Sequence, residues 1–328
     1  MTKGNGARTR KVFGGFSTPF SRVGPVLAAL MFGFAISPGP VMAWQMPASS
    51  EPAAEQGSGA YPATYEEDST LPAHVVYRPK DMAALKGEKL GVYIFGNGAC
   101  SADGTSSRNH LLEIASHGYV AIALGVDPAR HAAPPPSPQM TNGQLSAPTN
   151  ASELTDAIDW VMHENGRAGS PYYGRIDTGQ IAVSGWSCGG LQALTVAPDP
   201  RVRTVVVMNS GVFNDSAMKI SGIDIDKSVL GRLHGSALYV LGGPEDIAYK
   251  NGTDDFSRLS GLPAALVNIP VGHGGTYMQP HGGVAAEVVV NWLDWQLKGL
   301  PAAAQKFQGD ACAYCRDSRL TLERKNIN

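Results

Sequence analysis

The chain has 328 residues, 43% hydrophobic and 16% charged, with a formal net charge of −2, which is enough for one large globular domain with a substantial core. Length alone permits two domains. Beyond the N-terminal segment no Lys/Arg cluster remains to grip phosphates, so a nucleic-acid partner is excluded from the expectations.

Residues 1–43 read as a signal peptide. Lys3, Arg8, Arg10, Lys11 and Arg22, with no acid among them, precede the apolar run Val26 to Ile36. Val41-Met42-Ala43 supplies residues suited to the minus-three and minus-one positions of a cut, so the mature chain is expected to begin near Trp44. The 11-residue apolar run falls short of the roughly 20 residues that span a bilayer, so cleavage is expected rather than a stable membrane anchor. Export to the periplasm or the medium follows. Cleavage would remove five positive charges and no negative ones, taking the net charge from −2 to −7. Residues 44–71, with Pro, Ala, Ser, Gly and Glu and little periodicity, read as a flexible leader without structure.

From residue 72 short apolar runs alternate with amphipathic stretches, the pattern of a mostly parallel sheet flanked by helices. Expected strands are His74 to Tyr77, Gly91 to Phe95, Val120 to Leu124, Gln180 to Ser184, Val202 to Met208, Ser236 to Leu241 and Ala264 to Ile269. Between them, Thr105 to His117 reads as a helix with Leu111, Leu112, Ile114 and Ala115 on one side. Asn150 with Glu153 three residues on resembles a capping box opening the next helix. The last helix is expected over Gly283 to Leu297. Pro-rich Asp127 to Thr149 reads as a long surface loop able to rim a pocket. Fewer than 30 residues, with little sustained apolar character, separate Met208 from Ser236, so no large lid domain is expected.

The strand Gln180-Ile-Ala-Val-Ser runs into Gly185-x-Ser187-x-Gly189 and then a helix-like segment, the grammar of a nucleophile elbow. The turn is so tight that only small residues fit two before and two after the serine. It lifts the Ser187 hydroxyl above the sheet edge and puts the Cys188 N–H at a helix N-terminus, where it can hold a developing oxyanion. A serine hydroxyl needs a base and the base an orienting acid, in the order Ser, acid, His for this elbow. His273, in Ile269-Pro-Val-Gly-His-Gly-Gly after the last strand, is the expected base, with His281 in reserve. Gly242-Gly-Pro-Glu-Asp246 follows the penultimate strand and offers two acids. Asp246 is preferred and Glu245 held in reserve. In the Gly96-Asn-Gly-Ala-Cys100 loop, the Ala99 N–H is the expected partner to that of Cys188. Trp186, Tyr277 and Met278 are candidate substrate-lining residues.

Residues of about 72 to 300 resemble an α/β-hydrolase, closest in order and compactness to the dienelactone-hydrolase-like and secreted esterase branches. Gly-Trp-Ser-Cys-Gly, Gly-Gly-Pro-Glu-Asp and Val-Gly-His-Gly-Gly carry the match. Dienelactone hydrolases use a cysteine where Ser187 stands here, so their substrate is not carried over. The Gly-Asn-Gly-Ala-Cys loop also departs from the superfamily's His-Gly oxyanion signature. Four cysteines allow three pairings. The resemblance sets the loop carrying Cys100 beside the elbow, implying Cys100–Cys188, which would fasten together the two loops of the oxyanion hole. Cys312–Cys315 is the second expected bridge, a zinc site being the alternative. The tail 301–328 falls outside the family's common core.

The expectation is an exported serine hydrolase that cleaves carboxylic esters, short-chain or polymer-attached, through an acyl-Ser187 intermediate. An acyltransferase or peptidase of the same fold, or a non-catalytic binding protein, are the alternatives. No metal, nucleotide or flavin cofactor is implied.

Overall fold

A computed structural model describes residues 56–141, 144–215 and 217–327. The expected signal peptide, and the leader as far as residue 55, lie outside the described residues.

Nine strands form one sheet: β1 (Ala63–Glu66), β2 (His74–Pro79), β3 (Leu90–Gly96), β4 (Tyr119–Leu124), β7 (Ile176–Trp186), β8 (Val202–Met208), β9 (Ser236–Leu241), β10 (Ala264–Asn268) and β11 (Thr321–Lys325). β5 (Gln139–Thr141) and β6 (Gln144–Ser146) make a separate hairpin. The large sheet runs β1-β2-β4-β3-β7-β8-β9-β10-β11. The six strands from β4 to β10 are mutually parallel; β2 and β11 run antiparallel to them on either side, and β1 pairs antiparallel with β2. The helices are α1 (Arg108–Ser116), α2 (Ala151–Gly166), α3 (Cys188–Val196), α4 (Tyr249–Arg258), α5 (Gly283–Gln296) and the short α6 (Pro301–Ala304). α2 opens on the expected capping box, formed reciprocally by Asn150 and Glu153.

Side chains alternate across each strand, so one strand feeds two cores. On β3, Val92 and Ile94 join the core that contains Leu154 and Ile158 of α2 and Leu194 of α3. Tyr93 and Phe95 join the other, with Leu111 and Ile114 of α1 and Val289 and Trp292 of α5. Both faces of the parallel strands are thus covered, which explains why these strands read as unbroken apolar runs.

Two expectations for the ends of the domain are corrected. Residues 63–66 lie inside the stretch 44–71 expected to lack structure, yet they form β1, paired with β2 from Ala63↔Pro79 to Glu66↔Val76. The tail 301–328 adds β11 to the edge of β10; its Phe307 packs on Trp292, Tyr314 packs on Phe307, and Leu320 is buried in the same core. Neither strand has the long apolar run that marks the central ones, because an edge strand buries little of its surface. Helix α4 carries few apolar residues and was not anticipated. The 127–149 stretch is not wholly irregular either, since it contains the β5–β6 hairpin.

Candidate active site

Parallel strands end together, so the loops that follow them share one edge of the sheet. Ser187 follows β7, Asp246 follows β9, His273 follows β10, and the Gly98–Cys100 turn follows β3. Ser187 caps α3 at φ 54°, ψ −119°, a conformation costly for a residue with a Cβ. The flanking glycines make it feasible. A Cβ at Gly185 would overlap the Gly189 carbonyl, and one at Gly189 would overlap the Gly96 carbonyl. The spacing around the serine is therefore set by backbone meeting backbone on both sides of α3.

His273 Nε2 lies 2.9 Å from Ser187 Oγ, and its Nδ1 lies 2.6 Å from Asp246 Oδ1. Asp246 is buried and saturated with donors. Oδ1 also accepts from the Ala248 N–H at 2.9 Å, while Oδ2 accepts from Asn209 Nδ2 at 2.8 Å and the Gly242 N–H at 3.0 Å. Burial pushes the Asp246 carboxyl up, but the hydrogen bonds from His273 and the Ala248 and Gly242 N–H groups outweigh it. The group is held below the ordinary aspartate value and is ionised at neutral pH.

Glu245, the reserve acid, is exposed one residue away and has no bond to the histidine. His281, the reserve base, sits on the turn Pro280–Gly282 facing α1, with Nδ1 3.3 Å from Glu113 Oε2, and takes no part in this cluster.

The disulfide Cys100–Cys188 joins the turn after β3 to the first residue of α3, with the two Cα atoms 5.2 Å apart. Ala99, at φ 53°, immediately precedes this bridge. Among the described residues neither the Ala99 nor the Cys188 N–H donates to a protein acceptor. Cys312–Cys315 is the second disulfide, so the zinc alternative is set aside. Among the described residues no group of three or more His, Cys, Asp or Glu side chains could hold a metal ion.

Ser187, Cys188 and His273 open into a cavity of about 890 Å³. The apolar part of its walls is Met140 and Leu145 from the β5–β6 hairpin, Leu191 from α3, Phe213 and Met218 from the loop after β8, and Ile247 after β9. The two outer walls are tied together, Ser221 N–H donating to the Leu145 carbonyl and Ala147 N–H to that of Ser221. The rim is open to solvent and mixed: Ile247 is 76% exposed, Met140 68% and Met218 56%, and beside them stand the polar Gln144, Asn214, Asp215, Lys219 and Lys250.

The three residues expected to line the site do not. Trp186 and Tyr277 are buried in the α1/α5 core, their ring centroids 5.3 Å apart, and Met278 packs against that core. Alternation along β7 turns Trp186 to the same sheet face as Ala182, away from the cavity. From there Trp186 Nε1 donates to the His273 carbonyl at 3.0 Å and braces the loop from behind. Apart from Leu191 on α3, the apolar residues that do line the cavity lie in stretches without periodicity. The only sequence signal for them was an apolar scatter, Phe213, Met218 and Ile220, in an otherwise polar segment.

Residues 73–216 match the family model described as PETase, PET hydrolase-like. The matched stretch includes Ala99, Ser187 and both cysteines of the Cys100–Cys188 bridge, and ends before Asp246 and His273. The chain matches no curated protein. With its mostly parallel sheet and helices on both faces, the chain has the α/β-hydrolase fold.

Proposed function

We propose that this α/β-hydrolase is an exported serine esterase acting on esters with bulky apolar parts, including polymer-attached ones. The observation that carries the reading is the unbroken hydrogen-bond chain from Ser187 Oγ through both nitrogens of His273 to Asp246, opening into a cavity with Met, Leu, Ile and Phe side chains in its walls.

In the reaction, Ser187 Oγ attacks the ester carbonyl carbon while His273 Nε2 takes its proton. Asp246, ionised and fully hydrogen-bonded, accepts the Nδ1–H, holds the imidazole in the tautomer with a free Nε2 lone pair, and stabilises the imidazolium. The tetrahedral oxyanion takes the N–H groups of Cys188, at the positive end of α3, and Ala99. Collapse returns the proton from His273 to the leaving alkoxide, giving the alcohol and an acyl-Ser187. Water, deprotonated by the same imidazole, then releases the acid and restores the serine.

The cavity favours apolar acyl or alcohol groups over acetate alone, since Met, Leu, Ile and Phe side chains stand on several of its sides, with Asn, Asp and Lys side chains among them. The family description points to PET, a polyester, and an open rim suits a chain that continues past the site. Export is supported by two disulfides, which persist in oxidising compartments. Among the described residues no helix is long and apolar enough to cross a membrane.

The test is hydrolysis of p-nitrophenyl esters from acetate to longer acyl chains, and release of soluble acid from a polyester film, by wild type and Ser187→Ala with disulfides formed. The reading requires turnover that rises with acyl length and disappears in Ser187→Ala. Equal turnover in the two proteins would end it.

A further inference from the structure

The last residue of β8 and the two that follow it touch all three loops of the proposed triad. The Met208 carbonyl accepts from the Ser187 N–H at 2.9 Å, and Ser210 Oγ donates to the Ser187 carbonyl at 2.6 Å. Between them, Asn209 Nδ2 donates to Asp246 Oδ2 at 2.8 Å and to the carbonyl of Gly272, the neighbour of His273, at 3.1 Å. Asn209 Oδ1 accepts from the Tyr277 hydroxyl, whose ring packs on Trp186. Both hydrogens of the amide nitrogen and the amide oxygen are therefore committed. Asn209 is 1% and Ser210 3% exposed, so water does not compete for these bonds.

The backbone makes this arrangement possible. Asn209 has φ 42°, in the left-handed region that asparagine enters more readily than other residues bearing a Cβ. The reversal turns the chain out of the strand, so that Asn209 faces the acid and histidine loops while Ser210 faces the elbow. Against Ser210, a Cβ on Gly190 would collide with the serine side chain, so α3 and Ser210 are in close contact.

We propose that Asn209 and Ser210 are positioning residues that set the register of nucleophile, base and acid relative to one another. The inference rests on the reading of Ser187, His273 and Asp246 as a triad. Without the Asn209 amide, Asp246 Oδ2 keeps only the Gly242 N–H, and the Gly272 carbonyl loses a side-chain tether. Acid and histidine then gain freedom to move independently. Without the Ser210 hydroxyl, the Ser187 carbonyl loses the bond that helps hold the elbow's unusual backbone angles.

Three variants test this. Asn209→Gly removes the amide yet adopts the positive φ without strain. Asn209→Asp keeps size and shape but turns a carboxylate, in place of a donor, toward Asp246. Ser210→Ala removes only the hydroxyl. The readouts are kcat, KM, Tm, and the low-field proton resonance of His273 Nδ1–H, which reports the bond to Asp246 without turnover. Both Asn209 variants should lower kcat about 10²-fold, the scale of a misplacement of about 1 Å. Ser210→Ala should lower it about tenfold, with KM within about twofold throughout, because bonds made to the catalytic groups rather than to substrate are lost. The low-field resonance should move upfield or vanish in both Asn209 variants. A purely structural role would lower Tm and leave kcat per folded molecule and the resonance unchanged, and that result overturns the proposal. The proton separates the two readings. A wild type without esterase activity whose resonance is lost in Asn209→Gly sinks the esterase and keeps the positioning. An active wild type with unchanged kcat and resonance in both Asn209 variants sinks the positioning alone.

Discussion

Replacing Asp246 with asparagine changes almost no volume, so its effect can be worked out from the four donors around the carboxylate. Oδ1 accepts from His273 Nδ1 and the Ala248 N–H, Oδ2 from Asn209 Nδ2 and the Gly242 N–H. An asparagine must present its NH₂ to one of these pairs. Toward Asn209 and Gly242 it meets two donors, and Asn209 cannot turn over to accept because its oxygen is held by Tyr277. Toward His273 and Ala248 only the Ala248 N–H is orphaned, since the imidazole can shift its proton to Nε2 and accept on Nδ1. The second orientation leaves fewer unpaired groups and is the one expected. One buried orphan costs about 1–3 kcal/mol, so Asp246→Asn should stay folded with Tm lowered by several degrees. Its Nε2 would then carry a proton facing Ser187 Oγ and could not take another. The loss of kcat should be on the order of 10⁴-fold, about 5 kcal/mol of barrier. The assay is p-nitrophenyl butyrate hydrolysis beside a thermal melt, with folded protein quantified in each sample. A folded Asp246→Asn with kcat within about tenfold of wild type would refute the tautomer argument.

Gly189→Ala should abolish activity and cost at least about 1–3 kcal/mol, because its methyl would overlap the Gly96 carbonyl and the backbone must separate. Melts and ester kinetics check this, and a variant like wild type in both would show that the contact between α3 and the turn after β3 is looser than described. Replacing both Cys100 and Cys188 by serine removes a crosslink spanning 88 residues, for which chain entropy predicts a loss of about 4–5 kcal/mol by denaturant titration. Glu113 supplies the pH dependence. Burial pushes its carboxyl up, but bonds from His117 and from the Ser58 hydroxyl and N–H bring it down to about 2. A carboxyl lowered in the folded state adds stability that is complete above its unfolded value of about 4.5 and is lost as pH falls toward about 2. Glu113→Gln should therefore be less stable than wild type at pH 7, by about 1–2 kcal/mol once solvent screening is allowed for, and the gap should close between about pH 4.5 and 2. A gap independent of pH would show that the loss is one of packing rather than charge.

The central strands β3, β4, β7, β8, β9 and β10 were legible because they are buried on both faces and so spell apolar runs. Helix α2 was legible from its capping box, and the Gly185-x-Ser187-x-Gly189 turn from a steric demand that lies within a few residues. The two disulfides also agree with the expected pairing. The strands β1 and β11 were not legible. They add at the edges, where pairing with a distant neighbour replaces an apolar signature of their own. Helix α4 is mostly polar and was hidden for a similar reason.

Order along the chain determines which residue types stand after each strand, and hence that Ser187, Asp246 and His273 all fall at strand ends. Those placements follow from local constraints: the tightness of a turn, the periodicity of a buried strand, the length of a loop. The tertiary structure alone decides that His273 pairs with Asp246 and not with Glu245, and that Asn209 and Ser210 lie between the three loops. It also turns Trp186 and Tyr277 into the core and gives the cavity wall to Met140, Phe213, Met218 and Ile247. Each of these depends on which strands are neighbours and which face a side chain takes, and contacts between residues tens of positions apart leave no periodic trace in the sequence.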